Sequence, residues 1–181
     1  MSTPWFGGDR TFEQQMTGLD WLAEACRGKS ILDFGCAEGL ISIHLLKHGA
    51  QFADGVELLP ERVLQAERLA RKEKLHLRSK FIACNAESWV AHRTVPRDVT
   101  LALAILHKLR DPSTVARRQA RATREMIVLR LPPATGSTIV DRRSGNVPHD
   151  IDAVLRSEGF VQKRAGNTGP LGEWIGVYRR G

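Results

Sequence analysis

Five residues of this chain have the types and spacings that could do chemistry together: Asp33, Gly35, Gly39, Glu57 and His107. The first three fall in Ser30 to Leu40, reading SILDFGCAEGL. Ile31, Leu32 and Phe34 are of strand type, with Asp33 the one charge among them; Gly35 and Gly39 bracket a tight turn, and Leu40, Ile41, Ile43, Leu45 and Leu46 continue as a helix. Such a turn gathers backbone N–H groups and a helix N-terminus at the C-terminal edge of a sheet, where open α/β folds bind ligands. Glu57 closes the next apolar strand, from Phe52 to Val56, at 57 − 35 = 22 positions beyond Gly35. An acid near this offset reaches a pair of ribose hydroxyls. His107 follows the fourth strand at the same edge, placed either to take a proton from a substrate or to shape its loop through a backbone hydrogen bond.

The turn discriminates among nucleotide-type ligands. A dinucleotide fingerprint needs G-x-G-x-x-G so that backbone can approach a pyrophosphate. Here Ala37 and Leu40 stand in place of the second and third glycines, and the Glu38 carboxylate at the helix start would repel a phosphate. No G-K-[ST] follows, which excludes a Walker loop. NAD, FAD and ATP all fit badly, so a nicotinamide-dependent oxidoreductase is expected to show no activity here.

The stretch ILDFGCAEG resembles motif I of the class I (Rossmann-like) S-adenosylmethionine (SAM) dependent methyltransferases, usually close to V-L-D-x-G-C-G-x-G, with Ala37 for the middle glycine. Glu57 matches the family's motif II, and LAILHKLRDP, running into Pro112, is similar to its motif IV region. The resemblance covers roughly Ser30 to Tyr178. It implies SAM as cofactor, with the turn residues Gly35, Cys36, Ala37 and Gly39 facing its methionine part and Asp33 near its ammonium group. It further implies Glu57 at the ribose and Asn85 with Ala86 at the adenine, and Leu58 and Ala104 among the cofactor-binding residues. Asn85 departs from the Asp-Ala pair common at that strand end, although an amide offers both a donor and an acceptor. His107 is the one residue named as a base.

Missing motifs narrow the methyl acceptor. No N-P-P-Y or D-P-P-Y follows strand four, against exocyclic amines of adenine and amides of glutamine. No Pro-Cys stands there for 5-methylcytosine chemistry, and no Lys-Asp-Lys-Glu tetrad for ribose 2′-oxygen is assembled. The acceptor is therefore a small molecule or RNA, with both left open and a partner subunit conceivable for recognition. The alternative to an enzyme is a SAM-binding, non-catalytic subunit or scaffold, which would keep Asp33, Gly35, Gly39 and Glu57 without needing His107.

The remaining pattern supplies the elements that position these residues. Thr11 and Gln14 have capping-box spacing, and Phe12 to Cys26 predicts one leading helix ended by Gly28. An amphipathic helix is expected over Pro60 to Lys74, with Val63, Ala66, Leu69 and Ala70 inward and Arg62 outward, then a strand over Leu77 to Cys84. Trp89 reads as a core plug. Asp98 to Leu106 reads as a strand buried on both faces, and Asp111-Pro112 opens a helix carrying Arg117, Arg118, Arg121 and Arg124. Met126 to Leu131 is the fifth strand, Ile151 to Phe160 a last helix, and Phe160 to Arg164 with Trp174 to Arg179 a closing hairpin. The expected fold class is α/β, a doubly wound, mostly parallel seven-stranded sheet with helices on both faces and a C-terminal antiparallel hairpin. One domain over 1–181 is expected, with residues 1–28 as an N-terminal arm and helix and 132–148, which include Arg142 and Arg143, as a substrate loop. The arm opens on Trp5, Phe6, Gly7 and Gly8.

Composition bounds the rest. The 181 residues are 42% hydrophobic and 26% charged, an ordinary globular balance. No apolar run approaches the ~20 residues of a membrane span. Cys26, Cys36 and Cys84 have no C-x-x-C spacing, which argues against a zinc site or disulfide frame and for a reducing, cytoplasmic setting. The net charge of +7 and pI near 9.8 are compatible with an anionic partner.

Overall fold

In the computed structural model the described residues are 10–89, 95–131, 138–141, 147–167 and 172–181. The elements run α1 (Phe12–Met16), α2 (Leu22–Ala25), β1 (Ser30–Phe34), α3 (Leu40–Lys47), β2 (Phe52–Glu57), α4 (Pro60–Lys72), β3 (Ser79–Ala83) and β4 (Arg97–Leu103). A 3-10 turn (Leu106–Lys108) precedes α5 (Pro112–Arg121), β5 (Thr123–Leu131), β6 (Thr138–Asp141), β7 (Val147–Asp150), α6 (Ile151–Ser157), β8 (Phe160–Asn167) and β9 (Trp174–Arg180). One seven-stranded sheet has the order β3-β2-β1-β4-β5-β9-β8. Its first five strands are parallel, and β9 lies antiparallel between β5 and β8. The expected fold class is the one observed.

Strand alternation divides the core in two. Ile31, Val99, Leu101 and Val128 face one way, into a cluster with Leu22, Leu45, Leu46 and Ala66 of α2, α3 and α4. Leu32, Ala102, Ile127 and Leu129 face the other way, against Val115 and Ala116 of α5, Leu155 of α6, and Phe160. Successive strand residues point to opposite faces, so Asp33 shares the face of Ile31 and comes under α3. The order of strands places β1 and β4 side by side at the centre, where the parallel sheet turns from one direction of growth to the other. That switch point is where such sheets open a crevice.

Several elements differ from the sequence expectation, each for a local reason. The leading helix is two short ones. The Thr11–Gln14 capping box forms, but Gly18 at φ 76° breaks the helix, which lets Leu19 and Leu22 both reach zero exposure. Strand three begins at Ser79, leaving Leu77 85% exposed. Strand four stops at Leu103, because Ala104 takes φ 63° and throws the chain into the 3-10 turn that carries His107. The arginine helix ends at Arg121, and Arg124 belongs to β5. Within the region expected to be irregular, β6 and β7 pair antiparallel, Thr138 opposite Asp150 and Asp141 opposite Val147. Arg142, Arg143, the aromatic start at Trp5 and Phe6, and the turn at 168–171 lie outside the described residues. Trp89 is buried, its ring edge-on to Phe34 at 4.9 Å, as a core plug should be.

Candidate functional site

The turn between β1 and α3 is held from the neighbouring strand. Gly35 and Cys36 donate their N–H groups to the Val56 carbonyl at 2.7 and 3.2 Å, and Gly39 N–H closes onto the Cys36 carbonyl at 2.8 Å. Gly35 sits at φ 73°, and a Cβ there would come within 2.9 Å of Ile105 Cδ1, so the position needs glycine twice over. Ala37 also adopts a left-handed conformation, φ 48°. For an L-residue with a Cβ this costs about 1–2 kcal/mol. Ala37→Gly is therefore expected to raise the melting temperature by roughly 2–4 °C, after some loss to the freer unfolded chain. A thermal melt showing a drop would mean that the alanine methyl packs better than its backbone strain costs.

Glu57 pins this turn to the tip of β2. One carboxylate oxygen accepts from Ala37 N–H at 3.1 Å and the other from Leu59 N–H at 3.0 Å. Each oxygen retains lone-pair capacity for a further hydrogen bond. Asp33 is 3% exposed and accepts from the Ser42 hydroxyl of α3 at 2.7 Å. Burial pushes its carboxyl up to about 6; the Ser42 hydrogen bond opposes this and the charge of Glu57 adds to it. Burial likewise raises the Cys36 thiol well above its ordinary range, followed by the fields of Asp33 and Glu57. The thiol is thus inert at neutral pH.

These groups line a cavity of about 220 Å³ at the C-terminal edge of the parallel strands. Of the residues singled out in the sequence, Asp33, Gly35, Cys36, Ala37, Glu57 and Leu58 line it from β1 and β2. Asn85 and Ala86 line it after β3, and Ala104 and His107 after β4. Asn85 turns its amide oxygen back to Glu87 N–H at 2.9 Å. Gly39 is placed elsewhere. It caps α3 at φ 74°, and a Cβ on it would lie 2.9 Å from Ala66 Cβ and 3.0 Å from the Phe81 ring. It is a close-packing glycine between α3, α4 and β3, outside the cavity lining.

The lining also holds residues not expected from the sequence. Arg62, expected outward, lines the cavity and pairs with Glu38 at 3.4 Å. Arg10, Lys108, Arg130 and Glu173 also line it. The Arg10 guanidinium donates to both Glu173 oxygens at 3.0 and 2.9 Å. Arg130, 2% exposed, donates to the Gln15 and Thr17 carbonyls at 2.9 and 3.0 Å. A charge inside the apolar run of β5 was the signal available for Arg130, since a buried guanidinium needs partners. For Arg10 and Glu173, 163 residues apart, sequence holds no comparable signal. Among the described residues no group of three or more metal-ligating side chains is placed to hold a metal. No helix among them is long and apolar enough to cross a membrane.

A seven-stranded sheet of this order, with an acid-flanked glycine turn at its switch point, is the fold of the class I SAM-dependent methyltransferases. The family model described as methyltransferase domain matches residues 31–126. The chain belongs to that family. Among solved structures, magnesium protoporphyrin IX methyltransferase from Synechocystis PCC 6803 with bound SAM superposes with a TM-score of 0.72 at 19% identity. That match covers 98% of this chain and 88% of the other. The [4+2]-cyclase SpnF superposes at 0.68 and 16% identity, covering 96% of this chain and 84% of its own. The shared fold alone does not dictate the reaction. Ribosomal protein L11 methyltransferase of Sodalis glossinidius is 37% identical over 59 residues, 33% of this chain and 18% of that protein. The matched stretch spans about a fifth of the curated relatives' length.

Proposed function

We propose that this chain is a SAM-dependent methyltransferase acting on a small-molecule acceptor in the cytoplasm. The observation that carries the reading is the convergence of two buried carboxylates, Asp33 and Glu57, on the cavity beside the glycine turn. Both acids suit a nucleoside that bears cationic groups and an unphosphorylated ribose, and both would repel a pyrophosphate. A buried acid whose pKa burial raises to about 6, with no cation of the described residues acting on it, is the environment an ammonium group would complete. When bound, SAM supplies a methyl group on a sulfonium carbon already activated by positive charge.

The chain's own residues would then position rather than activate. Glu57, fixed by two backbone N–H groups, presents its remaining lone pairs to a pair of hydroxyls. Asp33 holds an ammonium group, and Asn85 with Ala86 flanks the base. Alignment and exclusion of water account for much of the rate in such a displacement. His107 lines the cavity after β4 and is assigned as the base where the acceptor must lose a proton.

A small acceptor is favoured over RNA because the arginines of α5 and its flank are engaged within the chain. Arg117 and Arg121 pair with Glu158 at 3.5 and 3.0 Å, and Arg124 with Asp98 at 3.2 Å. Arg118 donates to the Glu87 carbonyl.

Calorimetric titration with SAM, S-adenosylhomocysteine (SAH) and NAD tests the ligand, and labelled-methyl transfer to size-fractionated extract tests the reaction. Binding of SAM and SAH but not NAD is expected, with label in the low-molecular-weight fraction. His107→Ala is expected to lower turnover by about 100-fold or more while SAH affinity holds. A second reading is a SAM-binding, non-catalytic subunit or scaffold of another enzyme, and binding with no turnover by the unaltered chain would favour it.

A further inference from the structure

With Asp33 and Glu57 given to the methyl donor, the ionic groups left on the cavity wall are mostly basic. Glu87 accepts from the backbone N–H groups of Arg110 and Asp111, and Arg62 faces Glu38. There remain Arg10, Lys108 and Arg130 against Glu173 alone, three positive charges and one negative, a surplus of two.

On this wall the Lys108 ammonium and one N–H of Arg130 lack a hydrogen-bond partner among the described residues, although the rest of the Arg130 guanidinium donates to Gln15 and Thr17. Arg130 Nε is buried and unpaired; its nearest acid oxygen, on Glu173, is 3.8 Å away, beyond hydrogen-bond reach. Both Glu173 oxygens already receive the Arg10 fork. No hydrogen bond or ion pair of the described residues reaches the Lys108 ammonium. Burial, then the fields of Arg10 and Arg62, pull the Lys108 pKa down, while Glu57 and Glu173 act the other way. A desolvated ammonium without a partner, and a buried N–H left unpaired, are costly unless an anion arrives to complete them.

We infer that this wall binds a carboxylate carried by the methyl acceptor, so that the acceptor is a small organic acid anchored by Lys108 and Arg130. The inference rests on the methyltransferase reading above, which assigns the acidic side of the cavity to the donor. A planar monoanion matches guanidinium geometry. A phosphate dianion would set its second charge against Glu173. Lys108 and Arg130 here are binding residues, with no step of the reaction assigned to them.

The test uses the full chain saturated with SAH and titrated with acetate, benzoate and 3-phenylpropanoate, each beside its own primary amide. At least one acid is expected to bind about tenfold or more tightly than its amide. Lys108→Met is expected to remove most of that preference, and Arg10→Met, which frees Glu173 to neutralise Arg130, to remove a large part of it, with SAH affinity kept. Arg130→Met could disturb folding through Gln15 and Thr17, so the test does not depend on it. Equal binding of every acid and amide would overturn the inference, as would a preference that survives both substitutions. Inorganic phosphate displacing the acids at lower concentration would overturn it in favour of a phosphorylated acceptor. A third reversal would be loss of SAH affinity in the variants without loss for methylthioadenosine, which lacks the amino-acid group; the cations would then serve the donor's own carboxylate. Failure of SAH to bind the unaltered chain would instead remove the donor assignment itself, a result readily told apart.

Discussion

Glu57→Ala is expected to weaken SAH binding by about 100-fold or more, the largest single effect foreseen at this site. The side chain is 8% exposed and satisfies two backbone donors, Ala37 N–H and Leu59 N–H, besides the lone pairs proposed to meet the ligand's hydroxyls. Removing it strands both N–H groups at about 1–3 kcal/mol each and frees the turn that Gly35 and Ala37 hold in left-handed conformations. The loss is thus partly direct and partly through the turn. Glu57→Gln separates the two: its amide oxygen keeps one N–H acceptor while the NH₂ faces the other donor, so about a tenfold loss is expected. Calorimetry with SAH reads both variants. An affinity within threefold of the unaltered chain for Glu57→Ala would remove the central contact of the site.

Asp33→Asn should move stability and binding in opposite directions. The Asp33 carboxyl is raised to about 6 from its ordinary 3.8, first by burial. For an acid raised on folding, the folded state holds its proton more tightly than the unfolded chain. The penalty is therefore absent below 3.8, grows as pH rises to about 6, and is complete above it. The gap corresponds to about 3 kcal/mol. Above pH 6 the asparagine variant is expected to be the more stable by up to that amount, or roughly 6–10 °C in melting temperature, with the difference vanishing toward acid pH. Its SAH affinity at about pH 8 is expected to fall tenfold or more. In the unaltered chain SAH affinity should decline as pH falls below about 6, because a protonated Asp33 cannot pair with an ammonium group, and in the variant that decline should flatten. Melts and titrations at alkaline and acid pH check both limbs. A variant less stable at alkaline pH, or one with unchanged pH dependence of binding, would show that Asp33 is ionised and satisfied without the ligand.

The glycine turn and the succession of strands and helices along the chain were legible in the sequence because both rest on local signals. A β-to-α switch through Gly35 and an apolar run at β4 are readable from neighbours alone. Gly39 shows the limit of that reading. Its motif position suggested the ligand, while the contacts that demand a glycine come from Ala66 and Phe81 on other elements. The end of β4 escaped for a similar reason, since hydrophobicity continues to Leu106 but Ala104 turns the backbone. The splitting of the leading helix could have been suspected at Gly18. Nothing nearby in sequence announces that Arg10 meets Glu173, because that contact is made only when β9 inserts beside β5.

That insertion bears on the timing of folding during synthesis. Arg10 and Glu173 are 163 residues apart. At ribosomal rates of about 5–20 residues per second, Arg10 waits roughly 8–30 s for its partner to be made. Strands β1 to β5 can pair as they emerge, whereas the wall that holds Arg10 and Glu173 is complete only after β9 has left the exit tunnel. A nascent chain stalled before Glu173 and β9 would carry Arg10, Lys108 and Arg130 without the one acid that faces them.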